Sequence, residues 1–430
     1  MPDKKVVCLH VPYPRLVKHA LSKPFIDLLS KRFNVRILSP FKITKEDLVY
    51  LGLNETQFVT YETNFNALQQ NLVRCIDYFR RYSFLFKNKD KLRLCTHANL
   101  LTTKKYPSIL RITAKLIFQA KFNKMFWKIL DRALWRLYTP KAIRKLDFEC
   151  NLLVQFSNWG INDYVIKNAR FVKKARKVLF PYTTDQIYVT GHFLHRFDKI
   201  YCQSHIEFEL LDMLHDYDGY SGIAGSLWFR HVDYLLKNEI VTQLAPKTIV
   251  YAGVASEFFP KTAEVNFVKK LEAQFPQYSV TYLPYFAENE NKDVLTVLNN
   301  RIEVKTHETA ITELSACAPI SVKKSIIRFL EKINGASLFV MSFNTSMALD
   351  FSYLTQKNVF SYFYDENGKV KLGAYGEMER VFFNGPNYHE IDLAYEFDKS
   401  DFLVVKDPAS NRWDSDVQLE KIVEELENIA

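Results

Sequence analysis

Short apolar runs, each broken by a polar turn, organise this chain. Val6–His10 is such a run. Pro12 and Pro14 follow it, then helical periodicity over residues 16–33, then a second apolar run at 35–38. Strand, helix and strand in that order predict a βαβ unit and a parallel sheet. A third strand is expected at 58–61 and a helix over about 67–84. The alternation returns at 152–156, 177–180 and 197–202. Each of these expected strands ends in polar residues: Ser157-Asn158-Trp159-Gly160, then Pro181 through Asp185, then Gln203-Ser204-His205. In a parallel sheet those ends lie along one edge. Helices are expected at 207–214 and 228–241. The intervening 216–225, with three of the chain's 12 glycines, reads as a flexible loop.

From Thr248 the pattern repeats. Strands are expected at Thr248–Ala252, Ser279–Leu283 and 302–305, and helices at 266–275, 292–298 and 321–333. Leu338 through Met341 is a continuous apolar run, the kind buried on both faces of a parallel sheet. Ser342, Asn344, Thr345 and Ser346 then lead into the periodic Met347, Leu349, Phe351 and Leu354, and an apolar-aromatic run at 359–364 closes the unit. Residues 416–430 form a final amphipathic helix. The expected fold class is α/β, with two Rossmann-like domains facing across a cleft. Residues 1–242 make the first domain, with a helical insertion at about 101–146, 243–412 the second, and 413–430 a terminal helix. At 430 residues, two domains are the natural division.

Composition narrows the function. The sequence contains neither GxGxxG nor GxxxxGK[ST], which argues against an ordinary dinucleotide dehydrogenase and a P-loop NTPase. The six cysteines are scattered without a CxxC, which is neither a disulfide framework nor a zinc site and suits a reducing compartment. The opening MPDKKVVCLHVPYP is charged and only briefly apolar, unlike a signal peptide. No stretch approaches the roughly 18 apolar residues of a membrane span. The expected location is the cytoplasm, or the inner face of the cell membrane as a peripheral protein.

The net charge is +10, and residues 101–146 hold twelve basic residues against one acid, Asp131, so this segment alone supplies the excess. Lys121, Lys124, Lys128, Arg132 and Arg136 share one helix face, while Phe118, Phe122, Phe126, Ile129, Leu130 and Leu137 cover the other. A basic amphipathic helix with aromatics is a membrane-surface pattern. The competing readings are a core helix with a basic outer face, and a nucleic-acid patch unaccompanied by any nucleic-acid motif. An anionic membrane surface is the expected partner and nucleic acid is not.

The strand-to-helix junction after Met341 carries the candidate chemistry. A helix N-terminus presents free N–H groups and roughly half a positive charge, which suits a phosphate. Ser342, Thr345 and Ser346 add hydroxyls there, although capping alone also explains hydroxyls at such a position. Gly253 and Ser256, after the first strand of the second half, lie where a backbone can approach a phosphate closely.

The segment RIEVKTHET at 301–309, followed by GASLFVMSFNTSMALDFSYLTQKNVFSYFYD at 335–365, resembles the C-terminal donor domain of bacterial GT-B glycosyltransferases of surface-polysaccharide assembly. That broad group includes the bacterial sialyltransferases and the CDP-glycerol glycerophosphotransferases. In it one strand ends in a His-Pro pair and a later one in a Ser/Thr pair before a helix. Here His307 would be the histidine and Thr345-Ser346 the pair; Glu308 stands where the family has proline. FPYTTD at 180–185 and HRFDKIYCQSHIEFELL at 195–211 are similar to the end of the N-terminal domain of the same enzymes.

The resemblance implies a glycosyltransferase moving a sugar from a nucleotide-sugar donor to a glycan or lipid-linked acceptor in cell-surface polysaccharide synthesis. The first domain would be the acceptor side and the second the donor side. Alternatives are a polyol-phosphate transferase or sugar-nucleotide epimerase on the same fold, or a non-enzymatic membrane- or nucleic-acid-binding protein. A departing nucleotide leaves growing negative charge on phosphate. His307, Ser342, Thr345 and Ser346 are the set expected to meet it, with Asn344, Lys305, Gly253 and Ser256 beside them. The general base is expected from the first domain: Asp163, Asp185, His192 and His10 are candidates, and Asp185 leads because it ends a strand next to a hydroxyl pair. No DxD-like pair stands where a divalent metal would be useful, so neither a metal nor a cofactor is expected.

Overall fold

A computed structural model of the chain describes residues 4–62, 65–72, 88, 139–157, 161–166, 169–182, 186–189, 197–215, 220–245, 247–253, 261–284, 302–304, 319–342, 346–362, 387–391, 395–403 and 418–430. Its strands are β1 (Val6–His10), β2 (Asn34–Ser39), β3 (Phe58–Thr60), β4 (Leu152–Gln155), β5 (Arg176–Leu179), β6 (Lys199–Cys202), β7 (Tyr220–Ile223), β8 (Thr248–Ala252), β9 (Ser279–Leu283), β10 (Ile302–Val304), β11 (Leu338–Ser342), β12 (Val359–Tyr362) and β13 (Tyr388–Ile391).

They form two sheets, in the orders β3-β2-β1-β4-β5-β6-β7 and β10-β9-β8-β11-β12-β13, with every neighbouring pair parallel. In each sheet the chain steps outward through three strands, returns to the middle and continues the other way. That is the doubly wound α/β order, and it places a reversal between β1 and β4 and another between β8 and β11.

Both faces of each sheet are covered, which is why the strands read as nearly unbroken apolar runs. Along β1, Val7 and Leu9 enter one core while Val6 and Cys8 enter another; along β8, Ile249 and Tyr251 face one core and Val250 and Ala252 the other.

The helices are α1 (Val17–Ala20), α2 (Lys23–Arg32), α3 (Lys45–Leu51), α4 (Lys141–Arg144), α5 (Ile161–Ile166), α6 (Gln186–Val189), α7 (His205–Leu214), α8 (Leu227–Asn238), α9 (Lys261–Gln274), α10 (Val322–Glu331), α11 (Ser346–Thr355) and α12 (Leu419–Ile429).

Two expectations are corrected, and one helix stands where none was expected. The helix anticipated over 16–33 is two helices. Pro24 lies in the first turn of α2, where its missing N–H and fixed φ are tolerated, but it cannot continue a helix begun at Val17. Helix α3 was not anticipated at all. Thr44 caps it by accepting from the Asp47 amide, and Gly52 at φ 71° ends it. The supposed loop at 216–225 contains β7, an edge strand whose residues Tyr220 through Ile223 pair with Lys199 through Cys202. The expected helix at 292–298, and residues 101–138 of the basic segment with Lys121, Lys124, Lys128, Arg132 and Arg136, lie outside the described residues.

The chain leaves the first sheet through α8 and enters the second at β8. The lobes are then tied together by short contacts. Ile43 and Ile320 form an isolated parallel bridge, with Thr44 N–H donating to Ile320 O (3.0 Å) and Ile320 N–H to Lys42 O (2.8 Å). The buried Asp47 carboxylate accepts from the amides of Val322 (2.7 Å) and Lys323 (3.0 Å), so an acid of the first lobe caps α10 at its positive end. Helix α12 returns to the first lobe. Leu419, Ile422, Val423 and Leu426 join the same core as α2, and Glu425 accepts from Tyr201 Oη (2.7 Å) and pairs with Lys199.

Candidate functional site

In open α/β sheets ligands bind beyond the carboxyl ends of the strands, at the reversal of strand order. In the second lobe that reversal falls between Gly253, which follows β8, and Ser342, which ends β11; Ala252 and Met341 are register partners. The structure therefore sets two of the sequence-selected residues side by side, with the first residue of α11, Ser346, just beyond. The Ser342 side chain is buried and its hydroxyl is bonded to that of Tyr251. Burial, and then the nearby Glu264, pushes the Tyr251 phenol well above its ordinary range.

Gly253 has a packing reason to be glycine. A Cβ there would lie 2.5 Å from Glu264 Oε2, and that oxygen is held in place by the Tyr282 hydroxyl at 2.7 Å. Ser256, Lys305, His307, Asn344 and Thr345 lie outside the described residues, as do Asp185 and His192.

The first lobe's reversal carries a fuller polar group. His10 ends β1, Gln155 ends β4, and the two are register partners. His10, Gln155, Ser157 and Asp163 are completely buried, and Tyr61 is nearly so. His10 Nε2 lies 2.8 Å from the Tyr61 hydroxyl, and His10 Nδ1 lies 3.4 Å from Asp163 Oδ1. Ser157 donates its hydroxyl to Asp163 Oδ2, and Gln155 Nε2 reaches Asp163 Oδ1 at 3.3 Å.

A lone pair on Nδ1 would face the carboxylate, so the proton belongs on Nδ1, leaving Nε2 as the acceptor of the Tyr61 hydroxyl. Burial, then Asp163, raises the Tyr61 phenol well above its ordinary range, so it stays protonated and donates. The arrangement is a buried imidazole oriented by a carboxylate, with its other nitrogen held by the Tyr61 hydroxyl. Of the four candidate bases, His10 and Asp163 are thus brought together. Their separation by 153 residues gives no local signal beyond position at a strand end.

A third cluster sits where the lobes meet. Asp350 of α11 is buried and accepts from Trp228 Nε1 of α8 at 2.6 Å. The Lys18 ammonium of α1 lies 4.8 Å from the Trp228 ring centroid and 4.2 Å from that of Phe329 in α10, a cation–π seat. Burial raises the Asp350 carboxyl to about 6, against the pull of Lys18 and Trp228. Burial lowers Lys18, and burial with Lys18 nearby holds His19 well below its ordinary value. Sequence reasoning missed this cluster, although a lone acid among Met347, Leu349, Phe351 and Leu354 was a signal. Among the described residues no group of His, Cys, Asp and Glu could hold a metal ion, and no helix is long and apolar enough to cross a membrane.

The chain thus folds into two Rossmann-like lobes with a connecting segment and a terminal helix that returns to the first lobe. This is the GT-B outline. No family model and no curated protein matches the sequence. Among solved structures, the chain is similar to the UDP-N-acetylglucosamine 2-epimerase from Rickettsia bellii, at 8% identity and TM-score 0.48, over 99% of this chain and 96% of that one. It is similar to the UDP-GlcNAc 2-epimerase from Neisseria meningitidis bound to UDP-GlcNAc, at 10% identity and TM-score 0.44, over 83% and 82%. It is also similar to the glycotransferase of kitacinnamycin, at 10% identity and TM-score 0.45, over 100% of both chains. Likeness of this degree assigns no activity to the chain.

Proposed function

We propose that the protein is a nucleotide-sugar-dependent glycosyltransferase, with the donor held by the second lobe and the acceptor by the first. The observation that carries this reading is the His10–Asp163 pair, placed at the strand-order reversal of a sheet whose partner lobe has a hydroxyl and a helix start at its own reversal. In this reading the acceptor hydroxyl gives its proton to the Tyr61 oxygen, and Tyr61 passes its own to His10 Nε2, as the acceptor oxygen attacks the anomeric carbon. The bond from that carbon to phosphate breaks, and the nucleotide leaves with the electron pair. Asp163 orients the imidazole and balances its developing charge. Asp185, which follows β5 in the sequence, is the other candidate base.

Ser342, Thr345, Ser346, Asn344 and the α11 N-terminus are assigned to the departing phosphate, with His307, Lys305, Ser256 and the Gly253 backbone around it. The acceptor is a glycan or lipid-linked glycan of cell-surface polysaccharide, and the basic face of Lys121, Lys124, Lys128, Arg132 and Arg136 docks the enzyme on anionic lipid.

The test is turnover of a nucleotide-sugar panel by the wild type and by His10→Ala and Asp163→Asn. Release of nucleotide that depends on an acceptor and falls roughly 10²–10⁴-fold in His10→Ala supports the proposal. Conversion of the donor sugar without nucleotide release identifies an epimerase instead. Full activity in His10→Ala removes His10 as the base.

A further inference from the structure

Beside the His10–Asp163 pair, two buried amides present oxygens that have no hydrogen-bond partner among the described residues. Gln155 is completely buried. Its Nε2 lies 3.3 Å from the Asp163 backbone oxygen, 3.3 Å from Asp163 Oδ1 and 3.2 Å from His10 Nδ1. With the proton on His10 Nδ1 the contact to that nitrogen is not a hydrogen bond; rotating the amide by half a turn would gain this one N–H but set the oxygen against two other oxygens, and the two outweigh the one. Gln155 Oε1 then has no hydrogen-bond partner among the described residues.

Asn162, next to Asp163 at the start of α5, is 7% exposed. Its Nδ2 is directed at Pro12 O, 3.5 Å away, two residues beyond His10, and the same repulsion fixes its orientation. Asn162 Oδ1 likewise has no partner among the described residues. Buried carbonyls are ordinarily satisfied, by protein or by something bound. Both residues flank one imidazole–carboxylate pair at the edge where ligands of this fold bind.

We propose that Gln155 and Asn162 recognise hydroxyl groups of the acceptor, so that the acceptor is a sugar or polyol presenting neutral hydroxyls. The charge around the two oxygens sets the class. A carbonyl accepts hydrogen bonds and cannot donate, and Asp163 adds a carboxylate beside them, so the subsite takes donors and repels a phosphate or carboxylate. Any anionic part of the acceptor is held elsewhere. The inference rests on reading the first lobe as the acceptor side.

The probe is a mixture of neutral methyl hexopyranosides, with a hexose 6-phosphate as the anionic comparison. Binding is read by saturation-transfer NMR on the full-length protein, and nucleotide binding by calorimetry with CMP, CDP, UDP and GDP. Expected is binding of the neutral glycosides, preference over the phosphate, and a loss of about tenfold in affinity in Asn162→Leu, the scale of one recognition hydrogen bond. Asn162→Ser, which keeps a small polar side chain, retains the fold and loses affinity to a lesser degree. Nucleotide binding is unchanged in both. Neutral glycosides that fail to bind, or bind Asn162→Leu as well as the wild type, overturn the proposal and leave bound water as the occupant. A protein that binds glycosides at Asn162 but no nucleotide keeps this inference and loses the transferase reading.

Discussion

Replacing Asp350 by Asn tests the electrostatics of the joint between the lobes. Burial raises the Asp350 carboxyl from its ordinary 3.8 to about 6, even with Lys18 and Trp228 Nε1 favouring the charged form. A raised acid pKa means the folded state holds the proton where the unfolded chain has lost it. Stability therefore falls as pH rises from about 4 to about 6 and is level above that. About two pH units at about 1.4 kcal/mol each give roughly 3 kcal/mol of stability lost across the window. Asparagine mimics the protonated acid: it keeps an oxygen for Trp228 Nε1 and cannot ionise. Asp350→Asn should match the wild type near pH 4 and exceed it by up to roughly 3 kcal/mol at pH 7.5. Urea unfolding followed by circular dichroism from pH 4 to pH 8 reads both curves. A variant that is less stable at pH 7.5 and equal at pH 4 would refute the reasoning, because the Lys18–Asp350 attraction would then outweigh the burial of charge.

Gly253→Ala places a Cβ against the anchored Glu264 carboxylate and should lower stability by about 1–3 kcal/mol, with Glu264→Asp in the same chain recovering part of the loss; an unchanged melting temperature contradicts this account. Asp47→Ala removes two charge-assisted bonds to the α10 amides and should cost about 2–3 kcal/mol; a melt within error of the wild type would mean that the cap contributes nothing. Sedimentation with anionic vesicles should show salt-sensitive binding that disappears when Lys121, Lys124 and Lys128 are changed to Glu together, and equal sedimentation with neutral vesicles removes the membrane assignment.

The alternation of apolar runs and periodic segments was enough to predict two parallel α/β lobes and to put Gly253, Ser342 and Ser346 at strand and helix ends. Those signals are local, because burial on both faces of a strand writes itself into consecutive residues. It could not say that Tyr220 through Ile223 is a strand: a four-residue edge containing a glycine has no pattern of its own and exists through its pairing with β6.

Nor could local pattern choose among His10, Asp163 and the other candidate bases. His10 meets Asp163 only because β1 and β4 are neighbours, an adjacency made by the reversal of strand order across 145 residues between His10 and Gln155. The same holds for Asp47 on the amides of α10 and for Lys18 near Asp350. Each is a charge whose partner lies hundreds of residues away, and periodicity carries no information over that distance. Local pattern is sufficient to say which segments are buried and in what repeating form. Which polar ends share an edge depends on strand order and lobe contact, and these are set only when the elements pack.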